Sequence, residues 1–283
     1  MTLLVQITDT HILPRGDLLY GSVDTAAHLR ESVAEINAMD PQPDLVMITG
    51  DLVEKPSDST YDHFDELIAP LKAPVYLIPG NHDDPIIMET HFGDTPKFPG
   101  RYPGFQYAIE EYDFRVLALN SHFDGSELPD YGSRRLHWLE EALAESRKPT
   151  LIAIHHPPMK TGIHFIDMVG SEWYQGLSHV LARHPQVELI ICGHGHLDML
   201  GNLERIPVYM CGSTAHQLIA GRVTDRAPAF DPARAPPVLH QWLDGSFVSG
   251  PNPWPNWVEE KRIDKSSGMD WEALKDHMRG TMK

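Results

Sequence analysis

The sequence predicts a mixed α/β fold. Short apolar runs alternate with amphipathic stretches through the first two thirds of the chain, which is the pattern of strands joined by crossover helices. Hairpin signals interrupt that alternation, so part of the pairing is antiparallel. The first run, Leu3 to Thr8, reads as a strand. Val23, Ala26, Ala27, Leu29, Val33 and Ile36 then recur at helical spacing, with Ser22 or Asp24 available as N-cap. Leu45 to Thr49 and Val75 to Ile78 are the next strands, and a helix from Pro85 to Phe92 follows Asp83 and Asp84, which suit its cap. Phe105 to Ile109 and Arg115 to Leu119 flank a turn at Glu111, Tyr112 and Asp113. Leu136, Leu139 and Leu143 mark another helix, ahead of strands at Leu151 to Ile154 and Leu189 to Cys192. Arg226 to Pro237 is rich in Pro and Ala, excludes a helix or central strand, and reads as a long loop. Asp244-Gly245, between Val238 to Leu243 and Ser246 to Val248, is a hairpin turn. The tail interleaves Pro251, Pro253 and Pro255 with Trp254 and Trp257 and ends in an amphipathic helix around Trp271 to Met278. Tryptophans in so polar a tail call for a surface to cover, on this chain or on another subunit.

Composition bounds the function. With 283 residues the chain makes one large or two ordinary domains, and 41% hydrophobic residues suffice for a core. A formal charge of −17 argues against binding duplex nucleic acid or anionic membrane surfaces. No run approaches the ~20 apolar residues of a membrane span, and Leu3 to Ile7 is too short for a secretory signal. Cys192 and Cys211 end apolar runs and read as reduced core residues of a cytoplasmic protein. Histidine stands out: there are 17, against 9 Phe and 9 Tyr.

The histidines fall at strand ends. Leu3 to Thr8 runs into Asp9 and His11, Leu45 to Thr49 into Gly50 and Asp51, and Val75 to Ile78 into Gly80, Asn81, His82 and Asp83. Leu151 to Ile154 runs into His155 and His156, and Leu189 to Cys192 into Gly193, His194, Gly195 and His196. Carboxyl ends of strands line the ligand crevice of open α/β sheets, so these groups converge in space. Carboxylate, imidazole and amide oxygen without thiolate suit manganese, iron, zinc or cobalt. Asp9, His11, Asp51, Asn81, His155, His194 and His196 are too many for one four-coordinate ion but suit two ions sharing a carboxylate. Two such ions clamp an in-line phosphoryl displacement. The adjacent glycines allow sharp turns and close backbone approach.

In this order, D-x-H (Asp9, His11), G-D (Gly50, Asp51), G-N-H-D (Gly80 to Asp83), a strand-ending His155 and G-H-x-H (Gly193 to His196) resemble the calcineurin-like metallophosphoesterases. Gly16 to Asp24, Tyr76 to Asp84, the HHPP at His155 to Pro158, and Thr214, His216 and Gln217 further resemble their class III phosphodiesterases, which act on cyclic nucleotides or glycerophosphodiesters. The likeness runs from about residue 3 to residue 217. It implies a four-layer α/β/β/α sandwich over residues 1–220, with residues 221–283 forming a loop, hairpin and tail packed on this core or a neighbouring subunit of a homo-oligomer. It implies two divalent transition-metal ions, one held by Asp9, His11, Asp51 and His196 and the other by Asp51, Asn81, His155 and His194. A hydroxide held by the metals would attack phosphorus in a small phosphodiester, 3′,5′-cyclic AMP or a glycerophosphodiester, while His82 stabilises charge or protonates the leaving alkoxide. A phosphomonoesterase and a non-catalytic scaffold of the same fold are the alternatives.

Departures narrow the subfamily. Leu52, Val53 and Glu54 follow Asp51, so the tyrosine ligand of purple acid phosphatases is missing, and Glu54 and Lys55 stand where protein phosphatases carry Arg. His156 either hydrogen-bonds behind the ligands or fills the turn before Pro157. His216 is a substrate contact or, equally, a structural residue, and Tyr20 is a surface residue ahead of a substrate contact. The Asn120 to Asp124 loop and the neighbourhood of His164 are expected at the pocket rim, whereas His28, His63, His137, His179 and His184 read as ordinary surface or boundary residues.

Overall fold

In chain order the strands are β1 (Thr2–Ile7), β2 (Leu45–Ile48), β3 (Val75–Leu77), β4 (Tyr107–Ile109), β5 (Arg115–Ala118), β6 (Thr150–Ala153), β7 (Val187–Cys192), β8 (Met199–Leu203), β9 (Ile206–Met210), β10 (Gln217–Ile219), β11 (Ala229–Asp231), β12 (Val238–Leu243) and β13 (Ser246–Pro251). The helices between them are α1 (Thr25–Ala38), α2 (Asp58–Ile68), α3 (Pro85–Phe92), α4 (Ser133–Glu145), α5 (His164–Asp167) and α6 (Glu172–Leu181). This computed structural model describes residues 2–219, 228–252, 263, 268 and 270–280. Within the unit that ends at Pro253, two mixed sheets form, ordered β13-β12-β1-β2-β3 and β4-β5-β6-β7-β9-β8, with β10-β11 as a separate ribbon.

Side-chain alternation sorts the second sheet into two faces. Val116, Ala118, Leu151, Ala153, Leu189 and Ile191 pack with the first sheet and with Leu29 and Val33 of α1. Their alternates Leu117, Ile152, Ile190 and Cys192 pack against Leu139 and Leu143 of α4 and Leu177 and Leu181 of α6. The result is a helix, sheet, sheet, helix sandwich. Each fully buried Leu or Ile in it contributes about 1.5–3 kcal/mol, so a charge placed at Ile190 would open the core beneath α4 and α6.

One polar side chain ties the sheets together where the ligand-bearing strands end. Gln6, fully buried on β1, donates to Thr49 Oγ1 at 2.8 Å and to the Cys192 carbonyl at 3.0 Å, and accepts from His240 Nε2 of β12 at 3.0 Å. The Asp244-Gly245 hairpin thus joins the first sheet beside β1, antiparallel to it. Helix starts follow their caps. Asp24 accepts from Ala27 N at α1, and Asp84 from Ile86 N and Ile87 N ahead of Pro85 at α3.

The alternation does not reveal the β8-β9 hairpin. Pro207 argues against a central strand, yet it precedes Val208, where pairing to β7 begins, so the missing N–H costs that ladder nothing. The Pro-rich stretch also departs from a plain loop, since Ala229–Asp231 pairs with β10 as an edge strand. His63 and His184 are buried rather than on the surface; His63 Nδ1 donates to the Leu13 carbonyl at 2.8 Å. In the unit from Trp254 onward, a helix at Trp271–Met278 starts from an Asp270 cap, whereas Trp254 and Trp257 lie outside the described residues. Among the described residues no helix is long and apolar enough to cross a membrane.

Candidate metal centre

The loops after β1 and β2 are zipped together. Asp9 N donates to the Gly50 carbonyl and His11 N to the Asp51 carbonyl, both at 3.0 Å. The zip demands unusual backbone. Among the described residues nine non-glycine positions have φ in the left-handed region, and five of them are Asp9 (51°), His11 (43°), Asp51 (50°), His194 (68°) and His196 (51°). Such conformations cost about 1–3 kcal/mol each and persist where surrounding contacts hold them. Glycine is required at position 80, where an added Cβ would collide with the Asp51 carboxylate and backbone.

All seven predicted ligands meet at these loops. Asp51 Oδ2 stands 3.4 Å from His155 Nε2 and 3.7 Å from His11 Nε2, while its Oδ1 accepts from His82 N at 2.9 Å. On one side His11 Nε2 lies 3.1 Å from His196 Nε2, which lies 3.2 Å from Asp9 Oδ1. On the other, Asn81 Oδ1 lies 3.1 Å from His155 Nε2 and 3.0 Å from His194 Nδ1. Asp51 therefore sits between two adjoining donor sets.

Tautomers show what these sets are suited to hold. His155 Nδ1 is 2.8 Å from the Thr49 carbonyl and His196 Nδ1 is 3.1 Å from the His216 carbonyl. A carbonyl oxygen only accepts, so both Nδ1 atoms carry a proton, and in the neutral ring both Nε2 atoms present lone pairs. Those lone pairs face Asn81 Oδ1, Asp51 Oδ2 and Asp9 Oδ1, which are also acceptors. A metal ion or a proton between them resolves the conflict. Electrostatics agree: burial works to raise the Asp9 and Asp51 carboxyls, but His196 and His155 respectively outweigh it and hold both below the usual carboxylate range. Burial works to lower His155, but Asp51 pushes it up to about 9, so without a metal its Nε2 carries a proton that a metal bound there would displace. Burial and the neighbouring His155 bring His194 down to about 4. The buried thiols of Cys192 and Cys211 are pushed up and belong to neither set.

The other singled-out residues surround this centre. His82 belongs to neither set, although its ring packs edge-on to His11 with centroids 4.8 Å apart; its Nδ1 is 3.1 Å from the Glu54 carbonyl and its Nε2 is 3.7 Å from Glu127 Oε2. His156 is buried behind His194, ring centroids 4.5 Å apart, with Nδ1 2.8 Å from Ser121 Oγ, so it does more than fill a turn. His216 orients His196 through its carbonyl while its ring, lowered to about 3 chiefly by burial, lines the cleft. Tyr20 is 62% exposed and packs on His216 and Phe230. A cavity of about 660 Å³ opens over the centre, its floor formed by His11, Asp51, Asn81 and His82 and its rim by Tyr20, Leu128, Phe165, Met168, Leu218 and Phe230. The rim is supplied by Glu127 and Leu128 rather than by Asn120 to Asp124, and, as expected of the neighbourhood of His164, by Phe165, Ile166 and Met168.

Three acidic residues matter here that the motifs do not assign to the site. Glu54 accepts from His11 Nδ1 at 2.8 Å. Glu127 accepts from Asn81 Nδ2. Asp83, next to the true cap Asp84, is buried and accepts from Gly80 N at 2.9 Å, Leu52 N at 3.1 Å and Tyr61 Oη at 3.1 Å, bracing the loops that carry Asp51 and Asn81. Position within G-N-H-D was the available signal for Asp83; no motif marks Glu127.

The sequence pattern of the Calcineurin-like phosphoesterase family matches residues 2–198. The chain belongs to the calcineurin-like phosphoesterases. Among phosphoesterase relatives, a probable glycerophosphodiester phosphodiesterase GpdQ from Arcobacter nitrofigilis is 32% identical over 247 residues, 86% of this chain and 89% of the relative. The 3′,5′-cyclic adenosine monophosphate phosphodiesterase CpdA of Escherichia coli (strain K12) is 32% identical over 197 residues, 69% of this chain and 70% of that protein. The fold is similar to that of a dimetal phosphatase from Danio rerio, at 14% identity and a TM-score of 0.62 over 88% of this chain and 98% of that one. Calcineurin-like phosphoesterases use a binuclear metal centre, and the His/Asp clusters here offer candidate ligands for one.

Proposed function

We propose that this chain is a binuclear metal-dependent phosphodiesterase for small phosphodiesters, 3′,5′-cyclic nucleotides and glycerophosphodiesters being its substrate classes. The observation that carries the reading is Asp51 Oδ2, set between His11 Nε2 and His155 Nε2 at 3.7 and 3.4 Å, as a carboxylate shared by two ions would be. Asp9, His11, Asp51 and His196 would hold one ion and Asp51, Asn81, His155 and His194 the other. Bound there, two iron, manganese, zinc or cobalt ions supply Lewis acidity to the phosphoryl oxygens and make the attacking water more acidic.

The chain's own groups do the rest. His82 donates from Nδ1 to the Glu54 carbonyl, which fixes its ring and turns Nε2 toward the cleft. From there it can stabilise the charge that develops on phosphorus or hand a proton to the departing alkoxide. The apolar rim from Tyr20 to Phe230 covers the diester's substituents and keeps water from the leaving side. The names of the GpdQ and CpdA relatives support the diester classes. We extend the reading to a cytoplasmic homo-oligomer, which light scattering on purified protein would test.

A parallel assay of cyclic AMP, a glycerophosphodiester and a phosphomonoester, with and without chelator, tests the reading. Diester cleavage lost in chelator and restored by a divalent metal is expected. Full activity in metal-free protein refutes it.

A further inference from the structure

Glu127 belongs to no motif and lies on the loop between β5 and α4. Its side chain is 72% exposed, yet Oε2 accepts from Asn81 Nδ2 and stands 3.7 Å from His82 Nε2, and the residue lines the cavity over the centre. Asp9 and Asp51 are buried beneath that cavity, and Glu54 is tied to His11. Glu127 alone of these carboxylates projects on the solvent side, where a substrate must enter. Holding Asn81 needs no charge, because a neutral amide oxygen would accept the same N–H. The charge itself calls for a reason.

We propose that Glu127 is a specificity-determining residue that sets the cleft against doubly charged phosphate groups and so selects diesters over monoesters. This rests on the phosphodiesterase reading. A diester carries one negative charge, whereas a phosphomonoester, with a second pKa of about 6, carries nearly two at neutral pH. A carboxylate beside the phosphate site repels both, and the second charge doubles the repulsion. Across a few ångströms of partly solvated cleft that extra charge amounts to roughly tenfold in affinity. The metals attract both ligands, so the carboxylate acts as the counterweight that makes the difference between them.

Glu127→Gln isolates the charge, since its amide oxygen can still accept from Asn81; Glu127→Ala removes charge and acceptor together. In metal-loaded full-length protein at about pH 8, two ratios are measured at about 20 mM and about 300 mM salt. One is kcat/KM for p-nitrophenyl phosphate over bis(p-nitrophenyl) phosphate, and the other is affinity for inorganic phosphate over dimethyl phosphate by calorimetry. Both ratios should rise about tenfold in Glu127→Gln, rise in Glu127→Ala, and rise less at high salt. Ratios unchanged in Glu127→Gln overturn the proposal, as does a variant that loses both ligands in equal proportion, because that marks a purely structural role. If no protein turns over either ester, the phosphodiesterase reading fails, and the binding ratio still decides whether Glu127 discriminates charge.

Discussion

His11 and His196 stand 185 positions apart in sequence and meet Nε2 to Nε2 at 3.1 Å. Each spends its Nδ1 proton on a neighbour, His11 on the Glu54 carboxylate at 2.8 Å and His196 on the His216 carbonyl at 3.1 Å. Two lone pairs are thereby aimed at one point, and the aim depends on the acceptors behind the rings rather than on the rings themselves.

Glu54 is thus a positioning residue for His11. Glu54→Ala should weaken the ion held by Asp9, His11, Asp51 and His196 by about 10–100-fold, with less effect on the other ion. Glu54→Gln, which keeps an acceptor for Nδ1–H, should recover part of the loss. Calorimetric metal titration reads both sites, and equal affinities in wild type and Glu54→Ala would rule the role out.

His82 packs against His11 but is assigned to neither donor set, which makes the expected result specific. His82→Ala should lower kcat on an aryl phosphodiester by about 10²–10⁴-fold while elemental analysis still finds the full metal complement. Turnover unchanged would show that the imidazole takes no part, and metal lost along with turnover would make it a ligand instead.

Much of this was legible in the sequence because strand periodicity and strand-end chemistry are local. Each apolar run ends in its own Asp, Asn or His, and the rule that strand carboxyl ends converge supplies the rest. Other features were not local. Nothing near Pro207 signals that its strand would be covered on both sides, because that depends on where β7 pairing begins. Glu127 sits in a loop without periodicity, and only the folded path brings it to Asn81, 46 residues earlier. His216 read as a substrate contact or a structural residue and is partly each, since its carbonyl serves His196 while its ring faces the cavity. Backbone carbonyls carry no side-chain signature, so such a role leaves no trace in residue type.

Asp83 carries a stability prediction. Buried, it takes hydrogen bonds from two backbone N–H groups and the Tyr61 hydroxyl. Asp83→Ala leaves these donors without an acceptor, which costs about 2–4 kcal/mol. Asp83→Asn should recover part of the loss, because its amide oxygen in the place of Oδ2 still accepts from Gly80 N and Leu52 N while its NH₂ meets the Tyr61 hydroxyl oxygen. Urea denaturation measures the loss, and a change below about 0.5 kcal/mol, the level of an ordinary surface substitution, would show that the loops are braced elsewhere.

His240 predicts a pH dependence that is separate from the metal centre. Its Nε2–H donates to Gln6 Oε1 at 3.0 Å and its Nδ1 pairs with Ser249 Oγ at 2.8 Å, so the neutral ring is fully partnered at the seam between β1 and β12. Burial pushes its pKa from 6.5 down to about 3. Below about pH 6.5 the unfolded chain takes up a proton that the folded chain refuses, so stability falls with pH until the folded group titrates near 3. The full effect is about 4–5 kcal/mol, of which about 2 kcal/mol develops between neutral pH and about pH 5. His240→Gln should be less stable at neutral pH but lose about 2 kcal/mol less than wild type on going to about pH 5. Parallel stability curves for the two proteins would show that the ring is already protonated in the fold, and the seam would then need a different account.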